Sequence, residues 1–315
     1  MDVPHQLNVT NVPEEEIEPF LDVTPELVQK RRSQGRIIFD RFIRHRAAIA
    51  GGIFLIVMFL FCFVGPLFWR IDPDLIPDNV ATSRFTPPDL AHPFGTDWVA
   101  RDELARAIAG GRVSLLVALA SMAGAILLGI GIGSFAGFYG GILDNLLMRF
   151  TDVFLAVPLY LLLFVLSATF TDGSPASVVI LIAIFGWTYA ARLVRGEFLA
   201  LRDREYVLAA RTIGAKNLSL MFRHILPNAA GPIIVNATLL VGANVILESI
   251  MSYFGFGIKD PNPSWGNMVA YGQGYFDRAP WLVFVPALLI FFTVLSFNLV
   301  GDGLRDALDP YMTER

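Results

Sequence analysis

The stretch that decides the fold, residues 202–228, is RDREYVLAARTIGAKNLSLMFRHILPN, a polar and cationic insert between long apolar runs. Charged side chains are costly in hydrocarbon, so we expect this segment in water beside a membrane. Residues 205–213 tolerate a helix, and Gly214 is the residue that most readily ends one in the left-handed conformation. A second short helix is expected over residues 215–224, ending because Pro227 lacks an amide hydrogen. The pattern predicts two short helices joined by a sharp turn.

Composition places the whole chain in a membrane. Hydrophobic residues make up 55% of the 315 residues and charged residues 17%, and the mean hydropathy is +0.57. These values are far from those of an ordinary soluble domain. The single cysteine, Cys62, lies in an apolar run, so neither an intrachain disulfide nor a cysteine metal cluster can form. We expect an integral membrane protein without a metal site.

Six apolar runs have about the ~20 residues that a helix needs to cross a ~30 Å hydrocarbon layer. Runs of this length without alternating polarity predict helices, because a helix satisfies its own backbone hydrogen bonds in lipid. The expected fold class is therefore all-α, a polytopic membrane protein with about six transmembrane helices. The runs cover residues 47–68, 113–138, 150–170, 177–193, 232–254 and 281–300.

The positions of the cations predict the orientation of these spans. With both termini inside, 17 of the 24 lysines and arginines lie on the cytoplasmic side and 7 lie outside. This distribution follows the positive-inside rule. It places the loop of residues 194–231 in the cytoplasm and the loop of residues 69–112 outside.

The segment before the first span has two parts. Residues 1–23 are acidic and interrupted by prolines, which predicts a flexible or surface-lying tail and not a signal peptide. Residues 24–46 begin with a capping threonine and a proline and then alternate cations with apolar side chains, which predicts a basic amphipathic juxtamembrane helix. This helix either lies against anionic headgroups or is a solvated helix before the first span. Residues 47–315 would form the six-span domain.

Part of the cytoplasmic insert resembles the EAA loop in permease subunits of ABC importers, the loop that docks into the ATPase subunit. The motif's glutamate would fall at position 208, where this chain has Leu208, and the nearest acid is Glu205. The flanking residues are similar to the dipeptide, oligopeptide and nickel branch of that family. The resemblance implies that Glu205 and the matching residues form the ATPase-coupling loop. The matching residues are Ala209, Ala210, Gly214, Leu226 and Pro227.

The external loop carries a second string that resembles the same branch, residues 92–97 (HPFGTD) followed by Arg101-Asp102. Its proline and glycine predict a turn that the charged groups order by local hydrogen bonds. Ala100 replaces a glycine common in the family, a change we expect to be minor. The string is either a contact surface for the binding protein or partner permease, or a loop packed over the mouth of the bundle. The candidate contact residues are His92, Gly95, Asp97, Arg101, Asp102 and, in a later turn, Trp265.

Two of these candidates have further expectations attached. His92 lies beside a proline, which is more typical of a turn residue than of a metal ligand in a nickel-type system. Trp265 belongs to a proline-rich turn after the fifth apolar run, which again resembles the peptide and nickel branch. Since amphipathic aromatic rings settle at membrane interfaces, we expect Trp265 at the outer interface.

Polar residues in the fifth apolar run indicate a translocation path. Asn236, Asn244 and Glu248 interrupt that run, and polar groups at membrane depth should face the bundle or a wet cavity. Glu248 either attracts the amino terminus of a peptide or a cation, or bonds backbone groups near the outer end of its helix. Both interpretations stay open from the sequence.

Two further patterns concern packing. Gly129, Gly133 and Gly137 recur at a spacing of four, which predicts a face for close helix approach. Arg149 and Asp152 are three residues apart, so we expect them to pair at the membrane edge. A proline at position 158 is expected at most to kink the third span.

The chain has no G-x-x-x-x-G-K-[ST] string and no H-E-x-x-H or G-x-S-x-G motif, so we expect neither a P-loop nor an intramembrane hydrolase. The resemblance implies a transport subunit that is not an enzyme. The resemblance implies a type I ABC importer permease fold with no cofactor in this chain and with ATP and magnesium on two partner ATPase subunits. It also implies a second permease subunit, an extracytoplasmic substrate-binding protein and membrane lipid as partners, and no nucleic acid. The expected location is the cytoplasmic (inner) membrane of a bacterium or archaeon, with both termini cytoplasmic.

The resemblance favours di- or oligopeptides as substrates and leaves nickel or another small solute open, because the binding protein does much of the selecting. A different class, an ATPase-independent secondary transporter or a channel, is also compatible with a helical membrane protein. Secondary transporters often have internal repeats and paired broken spans, which the sequence does not indicate.

Overall fold

The computed structural model describes residues 34–309. Within that range the chain is helical, apart from turns and one isolated bridge between Thr96 and Asp102. The acidic tail expected over residues 1–23, and the first part of the expected 24–46 helix, lie outside the described residues. The described part of that helix is amphipathic and runs along Gln34–Arg44.

The described helices are numbered here in chain order. They are α1 Gln34–Arg44, α2 Arg46–Phe63, α3 Glu103–Tyr139, α4 Gly141–Ala156, α5 Leu159–Phe170, α6 Pro175–Leu201, α7 Glu205–Thr212, α8 Asn217–Tyr253, α9 Trp265–Gln273 and α10 Trp281–Leu308. Two single-turn helices, Gly65–Phe68 and Val80–Ser83, lie in the loop between α2 and α3.

Five of these helices, α2, α3, α6, α8 and α10, are long and apolar enough to cross a membrane, and the pair α4–α5 makes a sixth span if it is counted as one. The two halves of that pair meet at 82°. The kink expected at Pro158 in the span of residues 150–170 is therefore a full break between α4 and α5. Pro158 disfavours helix at Val157, whose backbone is extended. The twelve residues of α5 span only about 18 Å.

The predicted glycine face packs α3 against α6. A Cβ on Gly129 would lie 2.5 Å from the Cβ of Ala190, and one on Gly137 would lie 2.6 Å from the Cβ of Phe198. Gly133 likewise meets the backbone of Ala191. Any side chain at these positions would push the two helices apart, which confirms the packing role of the repeat.

Ion pairs connect the C-terminal half of α6 to α4, but not by the pairing expected. Asp152 pairs with Arg192, with an Oδ1–Nη2 distance of 2.6 Å, and not with Arg149. Asp144 accepts two hydrogen bonds from Arg195, one of them at 2.6 Å from Nη2. The spacing of Arg149 and Asp152 would permit a pair within one helix. Asp152 instead pairs with Arg192 on the neighbouring helix.

The expected helix break at Pro227 is also wrong. Residues 217–253 form one continuous helical body, in which residues 220–225 make a wider π-helical turn just before the proline. That turn accommodates the missing amide of Pro227, and the Nδ2 of Asn228 donates to the carbonyl oxygen of His224 at 2.7 Å. The fifth span therefore continues as an unbroken helix into the polar segment of residues 217–228.

Candidate functional site

The polar segment of residues 202–228 folds as predicted into a helix, a turn and a second helix, and is called the coupling hairpin below. Helix α7 ends at Thr212, and Gly214 has φ +89°. The turn is closed by hydrogen bonds from Gly214 N to Arg211 O and from Ala215 N to Ala210 O, each 3.1 Å. A Cβ on Gly214 would meet open space, so the left-handed backbone alone is what requires glycine there.

One face of the coupling hairpin is buried against the adjacent ends of the spans. Val207 and Ala210 of α7 lie in a closed apolar cluster with residues of α3, α6 and α8. The guanidinium of Arg211 lies 6.0 Å from the ring centroid of Phe138. The hairpin is therefore rigidly seated on the spans. The buried members from the other helices are Phe138, Val194, Phe198, Leu220, Met221, Ile225, Ala229 and Ile233.

The opposite face of the hairpin is exposed and apolar. Ile213, at the turn, has 87% of its surface exposed. Exposed cations at Arg204, Arg211, Lys216 and Arg223 surround this face. Side chains of this kind on an exposed tip indicate a surface that another subunit covers. The other large exposed hydrophobic residues are Tyr206, Leu208, Leu218 and Phe222.

The predicted coupling residues divide between the two faces. Ala209 is exposed while its neighbour Ala210 is buried, because adjacent helix positions point in different directions. Glu205 and Leu208 are exposed. These residues all lie on α7, whose C-terminal end leads into Gly214 at the tip. Leu226, half-buried, and Pro227, exposed, lie at the base of the hairpin.

The exposed carboxylates of the hairpin lie at the start of α7, away from its tip. Asp203 is 3.3 Å from Arg202, and Glu205 is in the first turn of α7, where a negative charge is favourable against the helix dipole. Burial raises the pKa of the Tyr206 phenol above its usual range, so the phenol is neutral at physiological pH. The start of α7 therefore presents two carboxylates and a neutral hydroxyl, whereas the turn around Gly214 presents cations and apolar side chains.

The second predicted string lies in the loop of residues 69–102, called the cap below. Asp97 accepts hydrogen bonds from the backbone of Val99 and Arg101 at 2.9 and 2.8 Å, and from the Arg101 Nε at 2.7 Å. The side chain of Arg101 also lies 5.0 Å from the Trp98 ring centroid. Both members of the pair are buried. The expected ordering of the turn by charged groups is confirmed.

Asp102 joins three parts of the cap. Its Oδ1 accepts from the backbone of Ala105 at 2.7 Å and so caps the start of α3. The same oxygen accepts from the indole of Trp69 at 2.9 Å, and Oδ2 lies 2.8 Å from the Nδ1 of His92. His92 is thus held in the turn, with its side chain one-third exposed.

Ala100 adopts a left-handed backbone with φ +65° and is buried. This conformation costs an L-residue of order 1 kcal/mol or more and costs glycine little. The expectation that alanine here is a minor change stays a prediction, because a strain of this size is no larger than the effect of an ordinary substitution. Gly95, in the same turn, also has a positive φ of 77°, and a Cβ there would lie 2.7 Å from the carbonyl oxygen of Thr86.

Trp265 does not lie at the membrane interface. Its ring is fully buried, and its Nε1 donates to the carbonyl oxygen of Ala107 at 3.0 Å. Gly111 makes room for it, since a Cβ there would lie 2.5 Å from the indole. The expectation of an interfacial tryptophan is wrong. Trp265 instead anchors the start of α9 against α3.

Glu248 is fully buried and bridges three elements. It accepts hydrogen bonds from the hydroxyls of Ser114 and Ser252 at 2.8 and 2.7 Å. Ser114 also accepts from the backbone of Trp265 at 3.3 Å, and Ser252 from that of Ile258 at 3.0 Å. Neither interpretation offered from the sequence describes these contacts, because the carboxylate bonds serine hydroxyls between helices. The network holds α9 between α3 and α8.

The other two polar residues of α8 differ in exposure. Asn244 is buried, and its Nδ2 donates to the carbonyl oxygen of Ala118 at 3.3 Å. Asn236 is half-buried. Glu248 and Asn244 thus face the bundle, which confirms the rule that polar groups at membrane depth turn inward.

The sequence analysis missed Arg106. Its side chain is 1% exposed, lies 3.1 Å from Asp74 and 3.6 Å from Asp260, and so joins the cap to the turn after α8. Its position one helical turn after Asp102, close to the first-turn Glu103, gave no signal of its burial. Counting cations places Arg106 in the external loop but does not show what it pairs with. Its partners, Asp74 and Asp260, come from segments that are distant in sequence.

These features define a class: a multi-pass helical membrane protein with a polar hairpin packed against its spans, whose exposed tip suits another subunit, the form of a transport permease. A family model, that of the binding-protein-dependent transport system inner membrane component, matches residues 129–314. A second model, the N-terminal transmembrane domain of oligopeptide transport permease C, matches residues 33–88. The chain belongs to this family of inner-membrane permeases, which confirms the resemblance and the fold class.

Several curated relatives are similar over nearly their whole length. An oligopeptide transport system permease protein of Bacillus subtilis is 40% identical over 270 residues, covering 86% of this chain and 87% of the relative. A dipeptide transport system permease protein of Alkalihalophilus pseudofirmus is 36% identical, covering 89% and 91%. A glutathione transport system permease protein of Pectobacterium atrosepticum is 36% identical, covering 89% and 92%.

Proposed function

We propose that this chain is the transmembrane permease subunit of an ATP-driven, binding-protein-dependent importer of di- or oligopeptides. The observation that carries the proposal is the coupling hairpin, whose inner face is buried while its tip exposes an apolar surface ringed by cations. ATP and magnesium would be bound by two partner ATPase subunits. The hairpin tip would seat in a cleft of one of them.

The unbroken helix α8 supports a route by which a movement of the hairpin would be transmitted to the spans. This helix runs from the hairpin through the membrane over 37 residues, about 55 Å. Its far end is tied to α3 and α9 through Glu248. A displacement of the hairpin by the ATPases would therefore move α8 as a whole, and ATP would act through its differential stabilisation of two arrangements of the spans.

Peptides are the proposed substrate class because the relatives are named for oligopeptide, dipeptide and glutathione transport. The chain would pair with a second permease subunit, and an extracytoplasmic binding protein would deliver the peptide. Nickel or another small solute is the alternative cargo for the same architecture. Uptake assays with labelled di- and oligopeptides against labelled nickel in cells carrying the complete system would separate these cargos.

We further propose that the cap faces the exterior and the binding protein, with both termini cytoplasmic. His92 would contribute a partly exposed side chain. Gly95, Asp97, Arg101, Asp102 and Trp265 are buried, so they would set the shape of the contact surface from within. For the translocation path we propose the face of α8 that carries Asn236, with Asn244 and Glu248 holding that helix in register.

Replacing Ala209 with tryptophan tests the coupling role. Ala209 is exposed on the hairpin and Ala200 is exposed at the end of α6, so Ala200→Trp is a matched control. We expect Ala209→Trp to abolish co-purification of the ATPase subunits while the chain still inserts in the membrane. Ala200→Trp should retain the ATPases. Undiminished ATPase binding by Ala209→Trp would refute the proposal.

The competing class, an ATPase-independent secondary transporter, receives some support from the broken pair α4–α5. The chain reconstituted alone in vesicles distinguishes the two. Substrate uptake driven by an ion gradient would establish the secondary transporter. Uptake that requires the ATPase subunits and ATP would establish the importer.

A further inference from the structure

A cavity of about 130 Å³ lies between the start of α3 and the chain that follows α2. Trp69 and Ile71 form one wall, Ile108 and Ala109 form the other, and Arg112 lies among them. The Trp69 ring is fixed by its hydrogen bond to Asp102. The cavity is therefore a formed pocket of apolar walls with one cation.

Arg112 is incompletely satisfied in that pocket. Its Nη2 donates to the carbonyl oxygen of Cys62 at a long 3.4 Å, and its guanidinium lies 5.9 Å from the Phe63 ring centroid. Its Nε is buried and has no hydrogen-bond partner within residues 34–309. A buried guanidinium nitrogen without a partner is costly. Because this Nε has almost no accessible surface, a phosphate in the pocket would bind through the terminal nitrogens of the guanidinium, whose donors match its oxygens.

The depth of the pocket corresponds to the lipid headgroups. Helix α2 has 18 residues and ends at Phe63, so it is about 27 Å long, close to the ~30 Å hydrocarbon thickness. The residues just after it, which include the pocket wall, therefore lie at the membrane boundary. Phe68, with 85% of its surface exposed, and the exposed Leu67, Leu75 and Ile76 flank the pocket. Such side chains suit contact with acyl chains.

The acidic residues nearby do not neutralise Arg112. Asp74 pairs with Arg106 at 3.1 Å, and Asp72 accepts a hydrogen bond from the backbone of Asp74 at 2.9 Å. The volume of the pocket equals that of about four water molecules. It can hold a phosphate and its ester oxygens but not the acyl chains, which would lie outside along the apolar side chains.

We propose that this pocket is a phospholipid site, in which the Arg112 guanidinium binds the headgroup phosphate and the acyl chains lie against the exposed apolar residues after α2. The site is independent of the coupling hairpin and of the substrate. It would fasten the first span and the base of the cap to the bilayer surface.

Native mass spectrometry of the purified complex, after delipidation, tests this site. The probes are palmitoyl-oleoyl phosphatidylglycerol, the matching diacylglycerol without phosphate, and inorganic phosphate. Arg112→Gln removes the cation, Ala109→Leu fills the pocket while keeping it, and Arg70→Gln removes an exposed arginine of the same region as the control. Because Ala109→Leu leaves every charge in place, it keeps the test decisive if Arg112→Gln assembles poorly.

The wild type and Arg70→Gln should retain one more phosphatidylglycerol per chain than Arg112→Gln and Ala109→Leu, with affinity at least about tenfold higher. Diacylglycerol should not be retained, and 10-fold excess inorganic phosphate should not displace the lipid. Equal retention by all four proteins would overturn the proposal. Retention of diacylglycerol, or displacement by inorganic phosphate, would overturn the assignment of a phospholipid phosphate.

Discussion

The coupling hairpin and the cap each contain a string of residues by which the chain resembles its family, and the structure treats them in opposite ways. In the hairpin, the residues at the tip are exposed, and Ile213 and Gly214 have little around them. In the cap, Asp97, Arg101 and Asp102 are buried. Asp97 accepts from the backbone of Arg101, and Asp102 accepts from the backbone of Ala105. A string shared with the family therefore indicates a candidate partner surface only where its side chains are exposed. Where the side chains are buried, the string indicates residues that stabilise the fold.

The largest expected effect is from Asp102→Ala in the cap. This change removes the cap of α3 and the acceptor for Trp69 and His92, and should cost about 3 kcal/mol. The melting temperature and the yield of purified chain report the loss. Asp78→Ala, at an exposed aspartate of the same loop, should leave both unchanged. A melting temperature for Asp102→Ala equal to that of wild type would contradict the claim that the buried charges of the cap stabilise the fold, unlike the exposed residues of the hairpin.

Gly214→Val at the hairpin tip should be next in size. A β-branched residue is strained at φ +89° by about 2 kcal/mol, so the turn opens and ATPase co-purification falls at least tenfold, while membrane insertion is kept. Gly196→Val is the control, because Gly196 lies in α6 with open space and an ordinary φ. Full ATPase binding by Gly214→Val would show that the tip need not hold its turn.

Ile213→Ser should weaken docking without changing the fold. Ile213 is 87% exposed in this chain, so its loss should change the chain's own stability by less than about 0.5 kcal/mol. If the ATPase buries it, the complex loses about 1.5 kcal/mol, or roughly tenfold in affinity. Titration of the purified ATPase against the chain in nanodiscs measures this. An unchanged affinity would show that Ile213 lies outside the interface.

Ala100→Gly should have the smallest effect and the opposite sign. Relief of the left-handed backbone at φ +65° should stabilise the cap by about 1 kcal/mol, with no change in ATPase binding. A rise in melting temperature of the purified chain checks it. A fall in melting temperature would mean that the alanine methyl group contributes more through its buried contacts than the backbone conformation costs.

The hairpin was predictable from sequence because its signals are local. Gly214 ends α7 through its own backbone freedom, and the charges of the segment exclude it from lipid. The glycine repeat of α3 was predictable for the same reason, since its spacing alone places Gly129, Gly133 and Gly137 on one helix face. The six apolar runs indicated where the chain could cross the membrane, although the run from residue 150 is the one that bends.

The errors concern residues whose partners are far away in sequence. Asp152 had a possible local partner in Arg149 and pairs instead with Arg192 on another helix. Trp265 has the composition signal of an interface residue, yet Gly111 and the carbonyl of Ala107 form a buried slot for it. Arg106 gave no signal of burial, because Asp74 and Asp260 come from two separate loops.

By itself, the sequence determined that this protein is a helical membrane protein with a polar helical hairpin between its apolar spans, since hydropathy, charge and glycine conformation act within a few residues. Only the tertiary structure showed which charged residues are buried and hydrogen-bonded inside the cap. It also showed that Glu248 joins α3 to α8 and that the helix continues through Pro227. A buried charge or a strained turn is stable only when groups from distant segments complete its hydrogen bonds. Those groups become neighbours only once the spans have packed.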